Sequence, residues 1–503
     1  MSKHIWASAN VNVKYYYFVV FGAVVIYLLH LTYATINRRI KITIKKENGE
    51  TIKEFGEDTR SMRFSHGKKI SQAGKELAGN DPYIIRNGNF RELVIFAPDH
   101  LQEFLRKDSK DHRKAKDFNM GDYAGRILGQ CVGQQHGTKW KTMRSYFDPE
   151  FSHKSTLKMV PSFSKTIKTW VDELATAPDS ASLVSETSKT AFKTDALKVC
   201  KMLAFRLIAT SIYGEALDEN RFEELVKLSK LHGQVLVTAI FKPRTTSRLY
   251  NLLPTAEKRI LDNYLTQWAS FNSTVIKDAR QRKIPCPAEI IFNGVDSNDM
   301  TQVEFLQTLD EMLFSNIDIT GTIMAFILIN LAQNTEFRNK LTKEIVAEKA
   351  REDYKIIDYI AKQDTLLHYT TLESIRVTPA MWFSPPECTA VPKIIGGFQI
   401  PGGMPTVIDV RRLNTSPTIW GEDAEDFRPE RFIGLNPSEY RYGLLRWGIG
   451  QGKCMGKNMA DSMLKLVVVA VLERYSLHPA GGRDVSKEHY TIAVDGEIEF
   501  RSV

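Results

Sequence analysis

One thiol in the chain is set up to do chemistry. Cys454 closes the run Trp447-Gly448-Ile449-Gly450-Gln451-Gly452-Lys453-Cys454-Met455-Gly456, with an apolar helical stretch, 458–474, directly behind it. Three glycines ahead of the sulfur let the backbone turn tightly and approach something large and flat. A helix starting just past the cysteine would aim its N–H groups and its positive dipole end at the sulfur, favouring thiolate over thiol. Such a sulfur could be a nucleophile, a redox thiol or a metal ligand. A structural cysteine buried after a flexible turn is the plainer alternative.

Four further groupings could carry function. Trp140 and Arg144 are four residues apart and share a helical face, where an indole N–H beside a guanidinium can clamp a carboxylate. Asp318 and Thr320, with Gly321, interrupt an otherwise apolar helical run. A carboxylate buried there would cost several kcal/mol, of order 2–7, unless paired or hydrated, and a proton-delivery role is the reading it invites. The alternative is an aspartate satisfied by a neighbouring helix. Glu373 and Arg376 are three apart and can pair on one helix face, and Arg431 in Phe427-Arg428-Pro429-Glu430-Arg431-Phe432 could reach that pair.

The elements that must hold these groups can be read in outline. Tyr83-Ile84-Ile85 and Leu93-Val94-Ile95-Phe96, separated by Asn87-Gly88-Asn89, predict a hairpin, and Pro98-Asp99 opens a helix. Residues 108–130, polar and glycine-containing, are expected to form a mobile loop. The span 155–285 reads as helical. Val303–Gln333 is the longest unbroken helical pattern, apolar nearly all round, as expected of a helix through the middle of a domain. A further helix, 366–378, stops at Pro379, and short strands and turns follow to Val410. No internal repeat is evident.

Composition narrows the function classes. The 503 residues are 43% hydrophobic and 25% charged, as in an ordinary globular protein. Five cysteines, at 131, 200, 286, 388 and 454, contain no CxxC pair, which argues against a disulfide framework or a zinc site and fits a reducing compartment. The net charge of +9 comes from scattered lysines and arginines, so the pattern gives no nucleic-acid-binding helix. A membrane surface or an acidic protein partner accounts for its sign.

Residues 15–36 hold no Asp, Glu, Lys or Arg and are flanked by Lys14 and by Arg38, Arg39 and Lys41. At about 1.5 Å per residue this length spans the hydrocarbon layer. The basic C-terminal flank predicts a lumenal segment 1–14, a transmembrane anchor 15–36, a basic hinge 37–70 and a cytosolic catalytic domain 71–503.

From about residue 80 onward, the order and spacing of these motifs resemble the cytochrome P-450 family, the haem-thiolate monooxygenases. Glu373-Ser374-Ile375-Arg376 matches the family's ExxR, Phe427 to Phe432 its aromatic-x-Pro-Glu-Arg-Phe element, Trp140 and Arg144 its WxxxR, and Cys454 its axial ligand. The resemblance implies a mainly α fold with small β-sheets (α+β). It implies a triangular helical body with haem between a long central helix and the cysteine-ligand loop. Glu373, Arg376 and Arg431 would form the structural triad beneath the haem. Trp140 and Arg144 would hold a propionate, and Trp447, Lys453 and Gly456 would line the cofactor. Implied cofactors are haem b (iron protoporphyrin IX), O2 as co-substrate, and NADPH through a reductase. Implied partners are NADPH–cytochrome reductase, with cytochrome b5 as a second donor, and a small apolar substrate. The chain is expected to be an endoplasmic-reticulum monomer that binds no nucleic acid.

Two departures from the family pattern stand out. Phe at the loop start and Arg or His two residues before the ligand are usual, but this chain has Trp447 and Gly452. Propionate neutralisation would then rest on Arg144, with Arg446 or Lys453 as substitutes. The helix midpoint, usually Ala/Gly-Gly-x-Asp/Glu-Thr-Thr, reads Ser315-Asn316-Ile317-Asp318-Ile319-Thr320, which moves the hydroxyl by one residue. Asp318 with Thr320 is the expected proton relay. Phe305, Phe314, Met381 and Trp382 are expected to shape an apolar cavity, and Lys139, Lys141, Lys453 and Lys457 to form a docking face for the reductase. The wording around the helix midpoint and Gly-Gly-Phe-x-Ile-Pro resembles fungal secondary-metabolism members. Rearrangement, coupling or dehydration without net hydroxylation is the second enzymatic reading, motivated by Ile319, and a non-catalytic haem sensor or carrier is the third.

Overall fold

The long apolar pattern becomes the long helix. In a computed structural model, Gln302–Gln333 is one unbroken helix whose start is fixed by a reciprocal capping box between Thr301 and Glu304. The structure describes residues 19–28, 43–88, 90–178, 180–183, 191–448, 450–480 and 496–503. They fall into two units, Met1–Thr51 and Ile52–Val503.

In the larger unit, strands and helices are numbered in chain order. They are β1 (Lys53–Asp58), α1 (Gly67–Ala78), β2 (Tyr83–Asn87), β3 (Phe90–Ile95), α2 (Pro98–Leu105), β4 (Arg113–Lys114), α3 (Gly137–Phe147), α4 (His153–Glu173), β5 (Ser180–Leu183) and β6 (Ala191–Asp195). Next come α5 (Ala196–Tyr213), α6 (Glu219–Phe241), α7 (Ala256–Arg282), α8 (Pro287–Asp296), α9 (Gln302–Gln333), α10 (Thr335–Lys349) and α11 (Leu366–Val377). The chain ends with β7 (Glu387–Cys388), β8 (Lys393–Ile395), β9 (Phe398–Ile400), β10 (Pro405–Ile408), α12 (Lys457–Arg474), β11 (Tyr475–Pro479) and β12 (Glu497–Ser502). Helices dominate and the sheets are small, as expected. One sheet runs β1-β2-β3-β10-β7-β4, a second β11-β12-β6-β5, and β8 pairs with β9.

The expected hairpin is present, with Tyr83 opposite Val94 and Asn87 opposite Phe90. Two expectations are corrected. The hinge 37–70 is folded from Lys53 onward, because β1 pairs in parallel with β2 and lends its edge to the sheet. The loop 108–130 is built into the fold: Arg113 and Lys114 pair with Cys388 and Glu387, and Asp122–Leu128 is helical. Of the expected anchor 15–36, the described part is a helix over 19–28 with exposed apolar side chains, Phe21 and Ile26 among them; the rest lies outside the described residues. Among the described residues α9 is the one helix long and apolar enough to cross a membrane, and it is mostly buried inside the protein, as a core helix is; the helix at 19–28 is apolar but shorter.

Helix α9 packs along α5 so closely that a Cβ on Gly321 would lie 2.8 Å from the Lys201 Cα. The glycine at the helix midpoint therefore serves close approach of two backbones, where a loosened helix was expected. Gly321→Ala is expected to destabilise the protein by about 1–3 kcal/mol through overpacking. Thermal melts of purified protein measure this, and an unchanged midpoint would show that the two helices separate freely.

Candidate active site

Cys454 sits on a loop closed on itself, in which its N–H donates to the Trp447 carbonyl at 2.7 Å. Gly448 takes a positive φ of 73°, and a side chain there would strike the Gly452 carbonyl at 2.8 Å, so this turn requires glycine. All five cysteines are free, and Cys454 is the exposed one. Protein packed around the sulfur pushes the thiol above its ordinary range. The Gly456 N–H pulls it down, Glu311 adds to the rise, and Arg144 and Lys457 oppose it. The depressed thiol expected from the helix start is thus outweighed by desolvation in the protein alone. Among the described residues no cluster of three or more His, Cys, Asp or Glu could hold a metal ion.

The same charges locate the neighbours of the sulfur: Arg144 from α3 and Glu311 from α9 both act on it. Helix α9 is buried over most of its surface but, around its midpoint, partly uncovered at Glu311, Met312, Ser315, Asn316, Asp318 and Ile319, which group on one side of the helix. Asn316 turns its amide back onto the Glu311 and Met312 carbonyls, at 2.9 and 3.1 Å, which leaves its carbonyl oxygen as an acceptor. Glu311 accepts the Gly133 N–H at 3.1 Å, and burial pushes its carboxyl above the usual range.

Trp140 and Arg144 lie on one face of α3 as expected, the guanidinium 5.4 Å from the indole ring. Arg144 forms an ion pair with Asp148, 2.5 Å from its Nε, but that Nε–H is left without a hydrogen-bond partner.

The acid pair predicted at the foot of the site is complete and dry. Arg376 donates from Nε and Nη2 to the two oxygens of Glu373, at 2.7 and 2.8 Å, and Arg431 Nε donates to Glu373 Oε1 at 2.8 Å. Arg376 Nη1 reaches the carbonyls of Ala424 and Asn414, and its Nη2 that of Asp426, which ties α11 to the segment before the thiol loop. Burial opposes the charge on Arg431, yet Glu373 and Asp423 hold its pKa above the ordinary value.

Several expected placements change. Asp318 is half-exposed, not buried, and pairs with Lys201 of α5. Thr320 is buried. Phe314 joins an aromatic cluster with Trp268 (5.1 Å) and His232 (4.8 Å), on the α6 and α7 side of α9, and Phe305 packs on Phe292 of α8 at 5.1 Å. Trp382 fills the space over Gly67. Phe314 is core packing where a cavity wall was expected, whereas Phe305 and Trp382 are buried yet each lines an open surface pocket; Met381 is partly buried. Lys139 is tied to Glu304 at 2.8 Å, whereas Lys141, Lys453 and Lys457 are exposed. Arg446 is drawn toward Asp461 at 3.8 Å and lies 5.7 Å from the Trp447 ring. Glu311 was not singled out from sequence, and Ser315 and Asn316 were named there only as part of the helix midpoint. The one available signal was a carboxylate and two polar residues inside an apolar helical run.

These residues fit an iron porphyrin. A lone exposed thiol lies on a glycine-shaped loop, an arginine charge reaches it from α3, and an uncovered stripe of α9 offers small or apolar side chains. Comparison with known proteins agrees. The family model described as Cytochrome P450 matches residues 80–494. The chain is similar to cytochrome P450 monooxygenase lepD of Aspergillus flavus, 52% identical over 461 residues that cover 91% of this chain and 90% of the relative. It is also similar to cytochrome P450 monooxygenase apdB of Emericella nidulans, 37% identical over 478 residues (91% and 92% covered). Cytochrome P450 monooxygenase opdB of Penicillium oxalicum is likewise 37% identical, over 463 residues (91% and 90%).

Proposed function

The chain belongs to the cytochrome P450 family, and we propose that this monooxygenase holds haem b through the Cys454 thiolate and oxidises a small apolar compound of secondary metabolism. The observation that carries the reading is the exposed Cys454 thiol on its closed loop, with the Glu373–Arg376–Arg431 triad beneath. When bound, haem would supply reductive activation of O2, with Cys454 as the residue that would hold it.

The chain's own residues do the rest. Arg144 and Trp140 take a haem propionate. Met312 and Ile319 keep the thiol-facing side of α9 apolar, which excludes water and suits an apolar substrate. Asp318, open to solvent on one edge, collects protons and hands them inward through an ordered water, since Thr320 two residues on faces the other side of the helix. Asp318→Asn is expected to slow turnover by roughly 100-fold, within the range of general acid–base effects, with haem content unchanged. Stopped-flow turnover of the holoprotein measures it, and an unaltered rate would remove Asp318 from the relay.

Electrons come from a membrane-bound NADPH–cytochrome reductase docking on Lys141, Lys453 and Lys457, with cytochrome b5 as a second donor. The apolar helix containing 19–28 anchors a monomer in the endoplasmic reticulum membrane with its catalytic unit cytosolic. The deciding assay is reductase-dependent NADPH consumption coupled to O2 uptake and to an oxygenated product. Haem-loaded protein that supports none of these with any apolar candidate substrate would end the reading.

A further inference from the structure

One cleft in the larger unit takes no part in the chemistry above. It holds about 330 Å³, at the lower end for small-molecule sites, and opens between α1 and residues 411–425. One wall is a single face of α1, on which Lys68, Ser71, Gln72 and Lys75 stand at i, i+3, i+4 and i+7. The other wall carries Trp382, Arg411 and Arg412. We propose that this cleft binds the phosphate group of a phosphomonoester.

Charge is the first support. Among the lining side chains the one carboxylate is Glu425, which is exposed and already paired with Arg411. A second acid, Asp409, lies behind Ser71, and its two oxygens accept the Ser71 hydroxyl at 2.5 Å and the Arg412 N–H at 3.2 Å. Even with Lys68 set aside, Lys75, Arg411 and Arg412 outnumber these two acids. Preorganisation is the second. Arg411 is held by Glu425 and by the Val377 carbonyl at 3.1 Å, and Arg412 by the Gly79 carbonyl at 3.0 Å and the Phe96 ring 3.4 Å away. Guanidinium groups fixed in this way have given up rotamer freedom before a ligand arrives, and each keeps N–H donors to spare. Burial draws the Arg412 pKa down, the sign of a cation that its surroundings do not fully offset.

The third support is an unspent donor. Trp382 is 4% exposed, yet its Nε1–H has no hydrogen-bond partner. Buried indole N–H groups normally find one. A Cβ on Gly67 would lie 2.6 Å from Trp382 Cδ1, the ring atom bonded to Nε1, so the donor edge is turned to the start of α1 and the cleft. A phosphomonoester offers several acceptor oxygens on one compact, doubly charged group. That matches two guanidinium forks, an ammonium and an indole N–H converging from two walls.

The test titrates detergent-solubilised, haem-loaded full chain by calorimetry with glycerol 3-phosphate and with dioctanoyl phosphatidic acid, using dioctanoyl phosphatidylcholine as the diester control. The parent is expected to bind at least one of the two monoesters and not the control. Lys75→Glu is expected to weaken that binding about tenfold, and Trp382→Phe, which keeps a ring over Gly67 but drops the N–H, about fivefold. Lys69→Glu makes the same charge change on an exposed residue outside the cleft and is expected to bind as the parent does. If Trp382→Phe does not fold, Lys75→Gln takes its place. Binding of glycerol 3-phosphate alone assigns the site to a soluble ligand, and binding of phosphatidic acid alone to a lipid headgroup; either keeps the proposal. A parent that binds neither monoester overturns it, as does equal binding of phosphatidylcholine. Unchanged binding in Lys75→Glu or in Trp382→Phe overturns it too. An equal loss in Lys69→Glu would mark bulk charge in place of a site and has the same force.

Discussion

Holoprotein carrying Cys454→Ala is expected to lose the red-shifted Soret band of its reduced CO complex and its substrate oxidation together. Anionic sulfur is what gives that band and drives electron density toward bound oxygen, and no neighbouring side chain can replace it. Cys131, Cys200 and Cys286 are buried, and burial pushes each of these thiols up. Turnover is expected to fall by about a thousandfold or more, on the order of 4 kcal/mol of barrier. Cys454→Ser makes the sharper version. It keeps the loop hydrogen bond from the residue 454 N–H to Trp447, so the fold should stand while the thiolate signature goes. A serine variant that kept the band would place the ligand elsewhere in the chain.

Removing Glu373 is expected to be the most damaging single change away from the thiol. Its side chain and that of Arg376 are wholly buried, and Arg431 is nearly so. Glu373→Gln would leave two guanidinium groups facing each other in a dry interior, with one oxygen to share and an amide competing as donor. Breaking a buried pair by deleting one partner costs about 3–5 kcal/mol, and here one carboxylate serves two cations. Set against a typical total of about 5–15 kcal/mol, most of the folded population is at stake. Arg376→Lys should fare little better, because an ammonium cannot span Glu373 and three backbone carbonyls as the planar fork does. Chemical denaturation of the purified variants checks this, together with haem yield on expression. A midpoint within experimental error of the parent would mean the triad adds nothing to stability.

These two predictions could be written from sequence, because the groups involved sit in short local patterns. ExxR is a helical i, i+3 spacing, and the thiol loop is a glycine spacing followed by a helix. Helix α9 was legible for the same reason: thirty residues free of proline and apolar nearly all round have one stable arrangement in a large core. The hairpin 83–95 followed from alternating apolar residues about a turn.

What a helix faces is a different kind of information. The run Ser315–Thr320 advances about 100° per residue, so its partners depend on where α5, α6 and α7 dock. That docking turned Phe314 toward Trp268, gave Asp318 to Lys201 and left Ile319 partly uncovered. The short strand at 113–114 carried no readable period, since two residues cannot show one, and only pairing with Glu387–Cys388 makes it an element. Lys114 was invisible for that reason: Glu387, its partner, lies far along the chain. Sequence by itself determined the family, the Glu373–Arg376 pairing and the central helix, all written in local spacing. Tertiary structure decided which charges surround the sulfur and which cation pairs with Asp318, because electrostatic neighbours are set by distance in space, and no local pattern records that.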